Sequence, residues 1–430
     1  MPMTDINDLL RLQNPWWQDR TFVLPETLLP KRDLFVSFKE EVLGIRQVSS
    51  LIGLRRTGKS TMLRQVIAGM LSSGIDPKSI CYFSFEEPTI QANIDYLDQV
   101  IQTYLNDVLR LTNPPYDLPA KIYIFFDEIQ FVPYWQNIIK RYYDLSDKVK
   151  FVVSGSSSLF IRQEAKESLA GRLFEHLLPP LSFSEYLRLK PAGDFSDYLA
   201  FGGFPEAIQL PSTEKKVEYL KNWVVGKVLE TDIPKSAGVR NQLDFERLFW
   251  SLIPNTGQVI AFPKLAVELG LSRTTLHRYL KLLEDTLLVK QFLNTAGSFR
   301  STSRLARKIY PASPNFLSLV VPFPGIGFQA ETYAAQILGQ RLGKSVGIFR
   351  QREKEVDFVI PDRKLAIEVK YQSSLHPSDY KYLKAFVEKK GFSGLILTKN
   401  VSLEISSNLK AIPLENLEDE KITEAGGKME

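Results

Sequence analysis

The feature that most constrains this 430-residue chain is the run Gly53-Leu54-Arg55-Arg56-Thr57-Gly58-Lys59-Ser60. It matches the spacing G-x-x-x-x-G-K-[S/T]. It follows an apolar run, QVSSLI, and opens a helical pattern, KSTMLRQVIAGMLSSG. Glycines at those places let backbone N–H groups wrap a phosphate without Cβ clashes. The helix N-terminus adds favourable partial charge, and the lysine reaches the β and γ oxygens. Gly53, Arg55, Arg56, Thr57, Gly58, Lys59, Ser60 and Thr61 are therefore expected to contact nucleotide, with the Ser60 hydroxyl on Mg2+. The alternative, a chance glycine-rich turn, does not explain the strand–loop–helix setting.

A second element supports the first. Ile122 to Phe126 is an apolar strand ending in Asp127-Glu128. A carboxylate at the end of such a strand faces the nucleotide crevice. Asp127 is expected to hold Mg2+, and Glu128 to polarise the attacking water. Alone, the pair would be a solvated turn. No guanine-reading N-K-x-D is present, which favours ATP. A further strand ends in Val153-Ser154-Gly155, where the Ser154 hydroxyl can sense the γ-phosphate; the alternative is a serine-rich turn. Arg172, after Leu169-Ala170-Gly171, can stabilise transition-state charge in a neighbouring subunit, which implies a homo-oligomer. Its alternative is a surface ion pair.

Around these motifs, apolar runs alternate with helical patterns from Gln47 to Pro180. The strands expected are QVSSLI, SICYFSF, KIYIFF, KFVVSG and RLFEHLL. Near-continuous apolar strands separated by helices specify an α/β fold with a doubly wound parallel sheet, a P-loop NTPase core. The expected division is an N-terminal arm over 1–45, the ATPase core over 46–190, a helical lid or linker over 191–240, a winged helix over 241–305 and a last α/β domain over 306–425. The winged helix rests on FPKLAVELG ending at Gly270, a Ser272 cap, the helix RTTLHRYLKLLED and the alternating run LLVKQFL.

The segments GLRRTGKSTMLRQ, IFFDEIQ, VVSGSSSL and LAGRLFEHLLPPLSFSEYL resemble a widespread bacterial and archaeal family of P-loop ATPases of the AAA+ class. The similarity runs through nearly the whole chain. It implies an ATPase core followed by a winged helix and a nuclease-like domain, in a family whose cellular role is largely unassigned. A second sensor arginine is not evident here.

In the last domain, Glu355 to Ile360 and Leu365 to Tyr371 read as a β-hairpin. Period-two alternation sets Glu368 and Lys370 on one face, within reach of Asp357. This D-x10-E-x-K pattern resembles the core of PD-(D/E)xK nucleases, a restriction-endonuclease-like fold. The resemblance implies a Mg2+ site on Asp357 and Glu368, with Lys370 on the attacking water and Glu331 as a further acid. The alternative is a hairpin whose Glu–Lys pair is structural.

Charge sharpens the question of partners. The chain has 54 basic against 49 acidic residues, a net +5, too small an excess to demand a polyanion. Between Phe262 and Tyr310, however, nine basic residues face three acids. Arg273, Thr274, Thr275, His277 and Arg278 lie early in the second helix, where a recognition helix meets DNA. Arg300 and Arg304, in RSTSRLARK, suit phosphate contacts. The alternative is a solvated face or a protein-packing module. A single cysteine, Cys81, forbids an internal disulfide, and three scattered histidines offer no metal spacing. No run of ~18 apolar residues and no secretory signal is present, so a cytoplasmic protein without a membrane partner is expected. The expected function is a Mg2+-dependent, DNA-associated ATPase. Its alternatives are an ATP-regulated DNA nuclease and a regulatory switch that binds a protein partner.

Overall fold

The five apolar runs between Gln47 and Pro180 all become strands: β1 Val48–Ile52, β2 Ile80–Ser84, β3 Ile122–Asp127, β4 Val149–Gly155 and β5 Leu173–Leu177. The computed structural model describes residues 5–86, 95–156, 168–232, 239, 241–295, 307–351 and 354–420. The chain divides into two units, Met1–Pro179 with Lys235–Gly238, and Pro180–Pro234 with Val239–Glu430.

In the first unit the strand order is β2-β3-β4-β1-β5, and every neighbouring pair is parallel. Side chains leave the sheet alternately. Ile124 and Phe126 enter one apolar cluster with Val100, Ile139 and Tyr142, whereas Tyr123 and Phe125 enter another with Met62, Leu63 and Val66. These partners belong to α3 Lys59–Ser72, α4 Tyr96–Thr103 and α5 Trp135–Leu145. Helices thus cover both faces, as continuous apolar strands require. Each fully buried Phe, Leu or Ile contributes roughly 1.5–3 kcal/mol.

The amino-terminal arm seals the β2 edge. α1 Ile6–Gln13 ends beside Asn14, whose side chain accepts the Tyr82 N–H at 2.7 Å and donates to the Tyr82 carbonyl at 2.8 Å. Gln13 accepts the Ser84 N–H at 2.7 Å, and the Trp17 indole donates to the Ile80 carbonyl at 2.8 Å. Side chains therefore do the work of a missing strand, and the open edge is not left as a template for aggregation. α2 Phe35–Gly44 buries Phe35, Phe38 and Val42 against the second cluster.

In the second unit, helices Phe262–Leu269 and Arg273–Asp285 are joined by Gly270, whose φ of 67° closes the first, and by Ser272, whose hydroxyl accepts the Thr275 N–H at 3.1 Å. They lie between the first and second strands of an antiparallel sheet of order β6-β8-β7: β6 Val259–Ile260, β7 Val289–Leu293 and β8 Arg307–Pro311. A mixed sheet follows, β9 Gly347–Gln351, β10 Lys354–Ile360, β11 Leu365–Lys370, β12 Ser393–Thr398, β13 Leu403–Ser406 and β14 Leu409–Pro413, in the order β13-β14-β12-β11-β10-β9. The expected hairpin is present, with Phe358 opposite Ile367. The long helix Ile326–Leu342 packs on one face through Ala330, Tyr333 and Ile337, and Lys381–Lys390 on the other through Leu383, Phe386 and Val387.

One buried side chain ties the start of this unit to its middle. The Asn315 carboxamide accepts the Gly203 N–H at 2.7 Å and donates to the carbonyls of Tyr198 and Leu199, each at 2.9 Å. Asn315→Ala leaves the Gly203 N–H without a partner, while the Tyr198 carbonyl keeps the Gly202 N–H and the Leu199 carbonyl keeps the Gln329 amide. A loss of about 1–3 kcal/mol, the cost of one orphaned buried group, is expected, read as a lower urea midpoint at an unchanged slope. A shift within error would show that water replaces the amide. Among the described residues, no helix is long and apolar enough to cross a membrane.

Candidate nucleotide site

The loop between β1 and α3 turns on Gly53 and Gly58. A Cβ on Gly53 would lie 2.3 Å from the Leu178 carbonyl oxygen, so only glycine fits beside the chain leaving β5. At Gly58 nothing crowds a Cβ, but φ is 93°, the left-handed region that favours glycine. Arg56 also takes a positive φ, 65°. The Thr57 hydroxyl donates to the Leu54 carbonyl at 2.9 Å and locks the turn. From the arm, Arg32 donates to the Thr57 carbonyl at 2.6 Å and to the Pro179 carbonyl at 2.8 Å. Sequence reasoning missed Arg32, which sits in an arm with no motif.

Lys59 is 4% exposed, and its ammonium donates to the carbonyls of Leu54 at 3.1 Å and Gly53 at 3.3 Å. It lies 3.8 Å from the Glu128 carboxylate. Lysine and glutamate come from elements nearly seventy residues apart in sequence, and the parallel sheet delivers both to its carboxyl edge. Ser60 and Thr61 follow in the first turn of α3, partly exposed. The Arg55 guanidinium lies 6.0 Å from the centre of the Phe131 ring.

Asp127 ends β3 and is 2% exposed. One of its oxygens accepts the Ser154 hydroxyl in a close contact and the Glu128 N–H at 3.1 Å. The other accepts the Tyr82 hydroxyl at 2.8 Å. Ser154 therefore faces Asp127 from β4. Tyr82 was not foreseen: in ICYFS it reads as one more apolar strand residue. Glu128 has φ 54° and accepts the Gln130 side-chain amide in a close contact. Burial, seconded by the charge of Asp127, pushes the Glu128 carboxyl up against the pull of Lys59.

Arg172 lies elsewhere. Its carbonyl accepts the Val48 N–H, so it sits at the amino edge of β1, opposite the loop. Its guanidinium pairs with Asp144 at 3.0 Å.

Residues 45–187 match the model of an AAA domain. Residues 45–187 form an AAA-type P-loop domain. Two domains of unknown function, DUF8612 and DUF4143, match residues 192–316 and 326–417. An uncharacterised protein of Haemophilus influenzae is 27% identical over 77% of this chain and 85% of its own length. One of Methanocaldococcus jannaschii is 25% identical over 72% and 71%. The solved structure of Cdc6p from Pyrobaculum aerophilum shares 13% identity, over 74% of this chain and 97% of that one, with a TM-score of 0.29, too low to assign a fold.

Outside the AAA domain the other expected residues divide. On the helix after Ser272, Arg273, Thr274, His277 and Arg278 are exposed and Thr275 is partly so. His277 stacks on Phe262, ring centres 5.4 Å apart. Arg300 and Arg304 lie outside the described residues. Lys308 ends the basic run RSTSRLARK, which the sequence suits to phosphate contacts. That is corrected: its side chain is 2% exposed and binds Glu331, Glu355 and Asp357. Glu331, Asp357, Glu368 and Lys370 do gather. Burial first, then the Asp357 charge, pushes Glu331 up to about 7 and Glu368 up to about 8. Lys370 lies 2.8 Å from Glu368.

Proposed function

We propose that this chain is a Mg2+-dependent ATPase of the AAA+ class that works in association with DNA. The meeting of Lys59 and Glu128 at 3.8 Å carries this reading, in a buried crevice beside Asp127. The residues suit a magnesium–triphosphate complex: a glycine cradle, a buried ammonium, a hydroxyl at the helix start and a buried carboxylate. Lys59 exchanges the Gly53 and Leu54 carbonyls for β and γ oxygens. Ser60 and Asp127 would hold Mg2+, which would supply charge neutralisation at those oxygens. Glu128, kept basic by burial, orients the attacking water and takes its proton. Ser154 fixes one oxygen of Asp127 and can report the γ-phosphate. Arg172 assists a neighbour in an oligomer only by giving up Asp144.

DNA association rests on the exposed Arg273, Thr274, His277 and Arg278, on a helix that the sequence reads as the second of a winged helix, with Thr275 beside them. The segment boundaries at 45, 190, 240 and 305 belong to the same reading. The test is ATP turnover in Mg2+ with and without single-stranded, duplex and branched DNA, beside mobility shifts at low salt, where phosphate contacts are strongest. Turnover stimulated by one DNA form is expected. No turnover in any condition ends the reading. Turnover without any shift would leave a regulatory ATPase that binds a protein partner.

Tyr82 tests how finely Asp127 must be held. Tyr82→Phe removes a hydrogen bond to a charged group, about 1.5–3 kcal/mol of orientation. Turnover at saturating ATP is expected to fall about tenfold, with ATP affinity within about twofold. A merely structural role would lower Tm and leave the turnover of folded protein unchanged.

A further inference from the structure

The acids that the sequence marks for a nuclease metal surround an ammonium instead. The Lys308 Nζ lies 2.9 Å from Glu331 Oε1, 2.9 Å from Asp357 Oδ1 and 2.6 Å from Glu355 Oε1. An ammonium has three N–H donors, and three carboxylates take one each. Other donors reach the same acids. Tyr310 donates its hydroxyl to Glu331 at 2.5 Å, and the second oxygen of Asp357 accepts the Val369 N–H at 3.0 Å. Glu368 gives one oxygen to Lys370 at 2.8 Å, and only its Oε2 is buried without a partner.

A divalent cation needs several oxygens converging at about 2.0–2.6 Å with lone pairs to spare. Here the point of convergence holds nitrogen. Among the described residues, no group of three or more His, Cys, Asp or Glu is arranged to hold a metal. Burial alone would discharge Lys308, yet Asp357, Glu331 and Glu355 hold its pKa above the ordinary lysine range. The cation is also covalently resident. Lys308 belongs to β8, the central strand of its sheet, paired with Val259 on one side and Phe292 on the other. Dilution or chelation cannot remove it.

We infer that Lys308 is the permanent cation of this acid cluster, standing where a nuclease would hold Mg2+, so that the carboxyl-terminal domain takes up no divalent ion there and cuts no DNA. The domain keeps the hairpin of a nuclease and lacks its electrophile. Glu368 and Lys370 then form a structural pair. The nucleotide site shares none of these residues, so the inference stands or falls apart from the ATPase.

The test uses the full chain without nucleotide, titrated with Mn2+ and followed by the electron paramagnetic resonance of the free ion. Wild type and Asp357→Asn are expected to take up equal Mn2+. Lys308→Met frees three carboxylates and should take up one further ion per chain, which Lys308→Met/Asp357→Asn should lose. Wild type should leave supercoiled plasmid intact in Mg2+. Lower uptake in Asp357→Asn than in wild type overturns the inference. So does a folded Lys308→Met without the extra ion, or plasmid nicking that Asp357→Asn abolishes. Should Lys308→Met not fold, the comparison of wild type with Asp357→Asn decides by itself.

Discussion

Glu128→Gln should leave ATP bound and nearly stop its hydrolysis, lowering turnover about 10²–10⁴-fold, the range for loss of a general base. The change is isosteric. It removes the charge that attracts a proton from water and keeps an oxygen for the Gln130 amide. It also removes a buried carboxylate beside Asp127, so ATP affinity should hold or rise. Lys59→Ala should act differently. The buried ammonium 3.8 Å from Glu128 is the proposed partner of the β and γ oxygens, and without it both binding and turnover should collapse. Phosphate release and binding of a fluorescent ATP analogue separate the two. Undiminished turnover in both variants would falsify the proposed ATPase.

Gly53→Ala should cost more than Gly58→Ala, although both glycines belong to one motif. At Gly58 the difficulty is conformational. An alanine at φ 93° meets nothing, and the expected penalty is about 1–2 kcal/mol with weakened ATP binding. At Gly53 the difficulty is space. A methyl group 2.3 Å from the Leu178 carbonyl must push apart the loop and the chain leaving β5. There the Leu178 N–H donates to the Ile52 carbonyl at 2.7 Å. That hydrogen bond and the loop's register cannot both survive. Gly53→Ala is expected to lose about 1–3 kcal/mol of stability and to bind ATP at least tenfold more weakly. The urea midpoint and equilibrium binding check it. A Gly53→Ala protein that binds ATP normally would mean that β5 yields without cost.

Part of this molecule was legible before any coordinates. Four of the five strands of the AAA domain appeared as apolar runs because a strand buried on both faces has no polar side to obscure it, whereas the edge strand β5 is largely exposed. The hairpin of β10 and β11 was visible through period-two alternation, and the helix after Ser272 through its cap. Tyr82, Arg32 and Lys308 were not legible. Tyr82 looks like core and carries a hydroxyl that matters only once β2 lies beside β3. Lys308 sits at the end of a basic run and looked like a phosphate contact. Its burial depends on Glu331, Glu355 and Asp357 arriving from a helix and a strand that follow it in the chain.

The sequence by itself determined the local chemistry: which backbone turns around a phosphate, which strands are apolar on both sides, and which carboxylates are available. These follow from steric and hydrophobic rules that act over a few residues. Only the tertiary structure decided which charges meet. It set Lys59 against Glu128, paired Arg172 with Asp144, and placed an ammonium among three acids. Electrostatic partners are chosen by distance and burial, and neither can be read from a chain until its strands are ordered.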